Sequence, residues 1–526
     1  MTTAARNALS LPASVTPELV RRLGALVASS AERTATSGHV FTGGPLAELP
    51  LSSVEDVRHA IATARAAQPA WAATPVSERA RVLRRLVDLM HHERDVIADL
   101  IQAETGKARL HAVMEQWDPL LTAGYYARKA VKLLRPRRRA GLFPGTVAAS
   151  ELRVPRGVVG IIAPWNYPFA LGLGDALAAL VAGNAVVLKP DLQTSLSPLY
   201  AVELMRRAGV PDDVFGVVLG DGPGIGGAVV DQVDYVGFTG SSRTGRDVAQ
   251  RTGSRLVGCS LELGGKNPML VLSDADVDRT VGSAISGCFT NAGQLCISIE
   301  RIYVEQSVYP RFLERFAAAV SALKVGASYT DLDLDMGSLT SARHLETVTA
   351  HVDDARDKGA TVHTGGASSP ELGPYFYQPT VLTGVTPEMT CYAAETFGPV
   401  VSVYPVADEA EAIARANDTA YGLNASVFTR SVRRGRRVAE ALRAGTVNIN
   451  DGFAASYGSI DAPMGGVGIS GLGRRHGAEG LLKYTEAQSV ARLRLPLVDP
   501  PPYVSRQTYL RVVTGVLRWL GRARIR

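Results

Sequence analysis

The sequence predicts an α/β chain built on mainly parallel sheets, and three observations carry that prediction. From Glu151 onward, short runs rich in Val, Ile and Leu (158–162, 185–188, 214–219, 235–238 and 256–261) alternate with stretches of helical length, the rhythm of strands joined by crossover helices. The runs are continuously apolar, as strands covered on both faces are. After Gly265 a second region of the same kind opens with a strand at 269–272, a helix near 276–292 and a strand at 301–304, and it extends to about Asn450.

The rest of the chain fits around this frame. At 526 residues it is too long for one core of ordinary size. Hydrophobic residues make up 46% and charged residues 20%, the balance of a globular protein rather than a disordered one. Residues 1–36 carry no basic-then-apolar export signal and read as a soluble lead-in, and no apolar run reaches the roughly 18 residues of a membrane span. A cytoplasmic setting is therefore expected. Residues 52–130 read as helical, with Ser52 or Ser53 as N-caps and Val82, Leu83, Leu86, Leu89 and Met90 recurring at three and four. The run Arg135-Pro136-Arg137-Arg138-Arg139, followed by Gly141 and Pro144, reads as a solvated loop. Four cysteines, Cys259, Cys288, Cys296 and Cys391, show no paired spacing for zinc and are too few for a disulfide scaffold.

Charge is unevenly placed. Between Pro496 and Arg526 lie six arginines and a single acid, Asp499, so nearly all of the net charge of +6 sits in the tail. A near-neutral body with a basic tail is not a nucleic-acid-binding face. In the tail, Tyr509, Val513, Val516 and Leu520 recur at helical spacing while Arg511, Arg518 and Arg522 follow another face. Such a helix, over 507–526, would lie on an anionic membrane, or dock on the protein's own body or a neighbouring subunit.

Polar residues concentrate at strand ends, where open parallel sheets bind ligands. Asn166, Lys189, the Gly240-Ser241 turn and Glu262 each follow one of the predicted strands. Gly240-Ser-Ser-Arg-Thr-Gly245 can offer backbone amides and a helix N-terminus to a phosphate, although such turns are commonly simple N-caps. Gly222, Gly224, Gly226 and Gly227 form a second glycine-rich turn, assigned to tight packing. Cys259, in a strand, reads as a small buried apolar residue, as do Cys288 and Cys391. Cys296 differs because Gly293 and Gln294 place it at a polar, tight junction, where a nucleophilic thiol would need a nearby base or positive field.

Six motifs, in order, resemble the aldehyde dehydrogenase superfamily over roughly residues 40–490: Pro164-Trp165-Asn166-Tyr167-Pro168, Lys189-Pro190, Phe238-Thr-Gly-Ser241, Leu261-Glu262-Leu263-Gly-Gly-Lys-Asn-Pro268, Gly293-Gln-Leu-Cys296 and Glu395-Thr-Phe397-Gly-Pro399. The resemblance implies a Rossmann-type parallel-sheet cofactor domain, an α/β catalytic domain and a small β oligomerisation element. Residues 1–262 would hold the N-terminal helices and dinucleotide-binding domain, with 131–150 contributing to the oligomerisation element. Residues 263–450 would form the catalytic domain, 451–497 the return to the cofactor domain and the oligomerisation strands, and 498–526 a Pro-rich linker and tail. A homodimer or homotetramer is implied.

The resemblance also assigns roles. Cys296 would attack the aldehyde, Asn166 and the Cys296 backbone N–H would hold the oxyanion, and Glu262 would activate the hydrolytic water. Trp165, Lys189, Gly240, Ser241, Leu263, Glu395 and Phe397 would contact the cofactor, and no metal is implied. Glu262 favours a free acid over a coenzyme A ester as product.

Departures from the pattern refine the expectation. Leu192 stands where NAD-preferring members often carry a glutamate, which favours NADP with NAD tolerated, unless Asp191 turns inward. The look of residues 189–194 and 295–304 is nearest to bacterial succinate-semialdehyde dehydrogenases. Gly174, Thr290 and Gly458 occupy positions where that activity uses carboxylate-binding side chains, with Arg243 and Arg301 as candidate substitutes. The alternative substrate is a medium- or long-chain, or aromatic, aldehyde. A non-catalytic binding protein is disfavoured by intact Cys296, Glu262 and Asn166.

Overall fold

The computed structural model describes residues 9–30, 32–141, 146–494 and 500–523. Pro144, Pro496, Asp499, Arg524 and Arg526 lie outside them. The N-terminal part runs through strands β1 (Thr34–Gly38) and β2 (Pro45–Pro50) into helices at Val54–Ala73, Val76–His92, Arg94–Thr105, Arg109–Glu115 and Trp117–Leu134. Ser53 opens the first of these helices with a capping box: its side chain accepts from Asp56 N while Asp56 reaches back to the Ser53 amide. Val82, Leu83, Leu86 and Met90 are buried as their spacing requires. The lead-in is part of the fold, because helix Pro17–Gly24 buries Leu19 and Leu23 in the first core.

Strands β3 (Arg137–Arg139) and β4 (Val147–Pro155) come next, so the arginine run is an edge strand rather than a loop. The ladder to β4 satisfies its backbone, Arg139 pairs with Glu151, and charged side chains suit a strand edge.

The strands that follow are β5 (Val158–Ile162), β6 (Ala185–Lys189), β7 (Phe215–Val217), β8 (Tyr235–Thr239), β9 (Gly258–Glu262) and β10 (Asn267–Val271). After them come β11 (Ile299–Glu305), β12 (Thr361–Thr364), β13 (Thr380–Thr383), β14 (Val400–Val406), β15 (Asn424–Phe428), β16 (Thr446–Ile449), β17 (Gly471–Leu472) and β18 (Thr485–Leu493).

Two larger sheets result. One has six strands in the order β17-β9-β8-β5-β6-β7, parallel except for the short β17. The other has seven in the order β12-β13-β14-β11-β10-β15-β16, with β12 antiparallel. In the first, β5 lies between β6 and β8, so the chain switches direction across the sheet there, the place where α/β sheets open a ligand crevice. Each sheet carries its own core, centred on residues such as Val186 and Leu188 in one and Leu270 and Val304 in the other. A three-stranded sheet, β18-β4-β3, stands apart, with Val490 and Leu493 exposed. Among the described residues no helix is long and apolar enough to cross a membrane.

Candidate active site

Asn166 sits in the turn after β5, just before helix Pro168–Val181, and is buried. Its carboxamide Nδ2 donates to Gln294 O at 3.0 Å. Its own carbonyl accepts from Lys107 Nζ at 2.6 Å and from Asn291 Nδ2 at 3.2 Å. Lys107 forms a wholly buried ion pair with Glu115, whose Oε1 in turn accepts from the Phe169 and Ala170 amides at 2.9 and 3.2 Å. A carboxylate thus meets the free amides at the helix N-terminus, where it is favoured, and an ammonium clamps the carbonyl of the preceding turn. Burial pushes the Glu115 carboxyl up and the Lys107 ammonium down, and each charge opposes the shift of the other.

Cys296 follows a tightly wound segment. Helix Val277–Phe289 ends, and Asn291, Ala292 and Gly293 then take φ of 55°, 53° and 71°. Two non-glycine residues in the left-handed region are costly, and such strain persists where surrounding bonds enforce it. Here they do: Gln294 Nε2 donates to Asn291 O at 3.0 Å, and Thr340 N donates to Gln294 Oε1 at 3.0 Å. At position 293 a Cβ would run into the Gly398 carbonyl. Asn267 Nδ2, on β10, holds the Cys296 carbonyl at 2.8 Å.

The thiol faces a pocket of about 50 Å³ whose wall includes Asn166, Tyr167, Leu171, Ile297, Met464 and Arg475. Burial pushes the Cys296 thiol up to about 12, the carboxylates of Glu262 and Glu395 add to the rise, and Arg475 with the Ile297 amide works against it. At rest the thiol keeps its proton.

Glu262 ends β9 and is buried, and its Oε1 has no hydrogen-bond partner among the described residues. Burial pushes its carboxyl up to about 7, against the pull of Arg475 and Lys483. Such a group changes protonation near neutrality, as a general base requires. Arg475 Nη2 donates to Asp175 Oδ2 at 2.8 Å and Lys483 Nζ to Asp175 Oδ1 at 3.0 Å. His476 Nε2 lies 2.8 Å from Asp118 Oδ1, and both residues line the thiol pocket.

Sequence reasoning missed Arg475, His476, Asp118, Lys107 and Glu115. The one local signal was the basic triplet Arg474-Arg475-His476 bounded by glycines. The proposed arginine substitutes lie elsewhere. Arg301 is buried and donates to the Lys266 and Ala416 carbonyls at 2.8 and 3.1 Å, and Arg243 lines a separate cleft. At Gly174 a Cβ would come within 3.8 Å of Arg475 Nη2, so Arg475 occupies the space a larger side chain there would take.

That separate cleft, of about 620 Å³, is lined by Gly222, Gly226, Gly227, Phe238, Arg243 and Arg343, among others. The turn at 222–227, expected to serve packing, therefore forms part of its wall; a Cβ at Gly222 would meet nothing within 4 Å. Open glycine backbone, three arginines (Arg243, Arg251 and Arg343, beside Asp247) and the N-terminus of helix Ser242–Ser254 fit the anionic backbone of a dinucleotide.

Ser241 caps that helix, with Thr244 N donating to its Oγ at 3.2 Å, and Gly240 stacks against the Phe238 ring. Lys189 is buried at the end of β6, and burial holds its ammonium below the usual range against the pull of Asp191 and Asp221. Asp191 accepts from the Gln193 amide at 2.9 Å, which commits its carboxylate to its own turn. Leu263 is buried beneath Gly245.

Trp165 packs edge-on against Phe397 and His344, with ring centres 5.6 and 5.1 Å away. Phe397 has a left-handed φ of 55°, held by Glu300 accepting from its amide at 2.9 Å. Glu395 accepts from the Gly265 amide at 2.8 Å, and burial pushes its carboxyl up to about 8. A side chain at Gly264 would collide with it. Cys259 is half-buried rather than fully enclosed, whereas Cys288 and Cys391 are buried. Among the described residues no cluster could hold a metal ion.

This arrangement has known counterparts. The family described as "Aldehyde dehydrogenase family" matches residues 26–490. The chain belongs to that family, whose enzymes oxidise aldehydes. It is 51% identical over 515 residues to "Putative succinate-semialdehyde dehydrogenase NADP(+) 2" of Mycobacterium tuberculosis, covering 97% of this chain and 99% of that protein. It is 40% identical over 462 residues to 4,4'-diapolycopene aldehyde oxidase of Methylomonas sp, covering 86% and 85%. The crystal structure of succinate-semialdehyde dehydrogenase from Burkholderia pseudomallei superposes with a TM-score of 0.84 at 35% identity, covering 89% of this chain and 96% of that one.

Proposed function

We propose that the enzyme oxidises succinate semialdehyde to succinate with NADP, NAD being tolerated. The observation that carries the chemistry is the pocket shared by Cys296 and Asn166, with Glu262 near enough to act on the thiol's charge. Cys296 attacks the carbonyl carbon after giving up its proton, and Glu262, poised near neutrality, is the acceptor within the site. The oxyanion is held by the Asn166 carboxamide and the Cys296 backbone N–H. NADP supplies, when bound, the hydride acceptor that turns the Cys296 thiohemiacetal into a thioester. Glu262 passes the thiol's proton to solvent before hydrolysis, then takes a proton from the attacking water and returns it to the departing Cys296 sulfur, which releases the acid and restores the thiol.

The cofactor reading rests on several groups. Lys189, the Gly240-Ser241 turn and the arginines of the 620 Å³ cleft hold the phosphates, and Trp165, Leu263, Glu395 and Phe397 order the rest. Leu192 supplies no carboxylate to repel a 2′-phosphate, Asp191 is bound to its own turn, and the M. tuberculosis relative carries NADP(+) in its name. For the substrate, Arg475 is the cation on the thiol pocket wall and the one placed to attract a distal carboxylate.

A second reading, an apolar aldehyde, is favoured by the Leu171, Leu295, Ile297 and Met464 wall, by the commitment of Arg475 to Asp175, and by the kinship to the diapolycopene aldehyde oxidase. The exposed β18-β4 ribbon, with Val490 and Leu493 uncovered, suits pairing with a second copy in a homodimer or homotetramer. Initial rates over succinate semialdehyde and straight-chain aldehydes, with both cofactors, decide the substrate. A clear preference for hexanal or longer selects the second reading, and no turnover of any aldehyde overturns both.

A further inference from the structure

The chain ends in a helix, Arg506–Ala523, that the catalytic reading does not use. Apart from Arg506 at its first position, which falls between Val513 and Leu517, its residues separate into two faces. At about 100° per residue, Tyr509, Leu510, Val512, Val513, Val516, Leu517, Trp519 and Leu520 fill roughly half of the circumference. Arg511, Arg518 and Arg522 cluster in the middle of the other half, among Gln507, Thr508, Thr514 and Gly515.

Much of the apolar half is uncovered: Leu510 is 62% exposed, Trp519 60% and Val516 41%, while Tyr509, Val513 and Leu520 are half-buried. No Asp or Glu occurs from Pro500 to Arg526, a stretch whose sequence also carries Arg506, Arg524 and Arg526. A helix docked on a protein surface needs a narrower apolar stripe and tolerates acids on its outer face. A half-apolar helix with Trp on one side and unopposed arginines on the other is the composition of a segment lying in a bilayer interface. At 18 residues, with four arginines, it does not meet the requirement for a span.

We infer that helix Arg506–Ala523 lies in the interfacial plane of an anionic membrane, its apolar face among the acyl chains and its arginines at the lipid phosphates. Attraction to the lipid charge complements a tail that has no acidic side chain after Asp499. One amphipathic helix gives reversible attachment, and an assembly of several copies would multiply it. The enzyme would then work beside the bilayer, where apolar aldehydes collect, whichever substrate the thiol pocket prefers.

The test uses the full chain, floated on density gradients with vesicles of phosphatidylcholine alone or containing about a third phosphatidylglycerol. Aldehyde oxidation is assayed in every fraction. The enzyme should rise with the anionic vesicles, remain below with the neutral ones, and detach as salt is raised. Arg511→Glu/Arg518→Glu/Arg522→Glu should weaken vesicle binding on the order of a hundred-fold or more, and Leu517→Ser/Trp519→Ser should abolish flotation. Both variants should keep parental turnover, since none of these residues belongs to either core; turnover also reports that they fold. Failure of the parent to float overturns the inference, as does equal flotation of the variants. Loss of oligomer mass in the variants, without vesicle binding by the parent, would assign the helix to a second copy instead.

Discussion

The thiol pocket and the larger, glycine-lined cleft differ in how much of their chemistry is settled before anything binds. Around Cys296, the wall of about 50 Å³ of space includes groups already committed to partners, Asn166 to Gln294, Arg475 to Asp175 and His476 to Asp118, and Lys107, paired with Glu115, holds the Asn166 carbonyl. The cleft is more than ten times larger, and glycine backbone and arginines such as Arg243 and Arg343 face it. A reacting carbon needs donors fixed where charge will develop, because reorganising them during reaction would raise the barrier. A long, flexible dinucleotide can instead bring its own charges to a basic wall and order it on arrival.

Substitutions that break the fixed pocket should therefore act on rate, and those in the cleft on cofactor choice. The largest effect is expected for Cys296→Ala, which should abolish oxidation while NADP binding, read by fluorescence titration, stays at the parental value. Glu262→Gln should slow steady-state turnover by about 10²- to 10⁴-fold, with a burst of one equivalent of NADPH if hydrolysis is the step lost.

The pH dependence follows from the same carboxyl. It acts as a base when ionised, and burial pushes it up to about 7, so turnover of the parent should rise with pH through that region and the rise should vanish in Glu262→Gln. Arg475 favours the ionised form, so Arg475→Gln should move the midpoint to higher pH; an unmoved midpoint would sever Arg475 from Glu262.

Lys107→Met tests the clamp on Asn166. It leaves Glu115 buried without its partner, a loss on the order of 3–5 kcal/mol, visible as a fall in urea midpoint, and kcat should drop with KM little changed. Lys107→Arg should restore part of both. The smallest effect is expected for Leu192→Glu, which should shift the kcat/KM ratio from NADP toward NAD by roughly ten-fold or more, through repulsion of the 2′-phosphate and acceptance from the ribose hydroxyls. An unchanged ratio would remove Leu192 from the account of cofactor choice.

Strand-end residues were legible because each follows a continuous apolar run and a Gly or Pro breaks the pattern at once, as at Ile162 before Pro164 and at Glu262 before Gly264. Cys296 stood out from Cys288 through its tight, polar neighbours. The arginine run at 137–139 misled because like charges suggest a loop, while the decision belonged to the backbone ladder with β4. The turn at 222–227 carried glycines that suit packing and cleft walls equally well, and its sequence holds nothing to separate the two.

Sequence alone determined the parallel-sheet framework, the family and the identity of one thiol, one carboxamide and one carboxylate, since all of these are written in local patterns of apolar runs, glycines and short motifs. Tertiary structure alone decided which charges meet. Lys107 reaches the carbonyl of Asn166, Arg475 reaches Asp175, and His476 reaches Asp118. Ion pairs between distant segments leave no periodic trace in a chain; they exist only once burial has removed the water that would otherwise satisfy each partner separately.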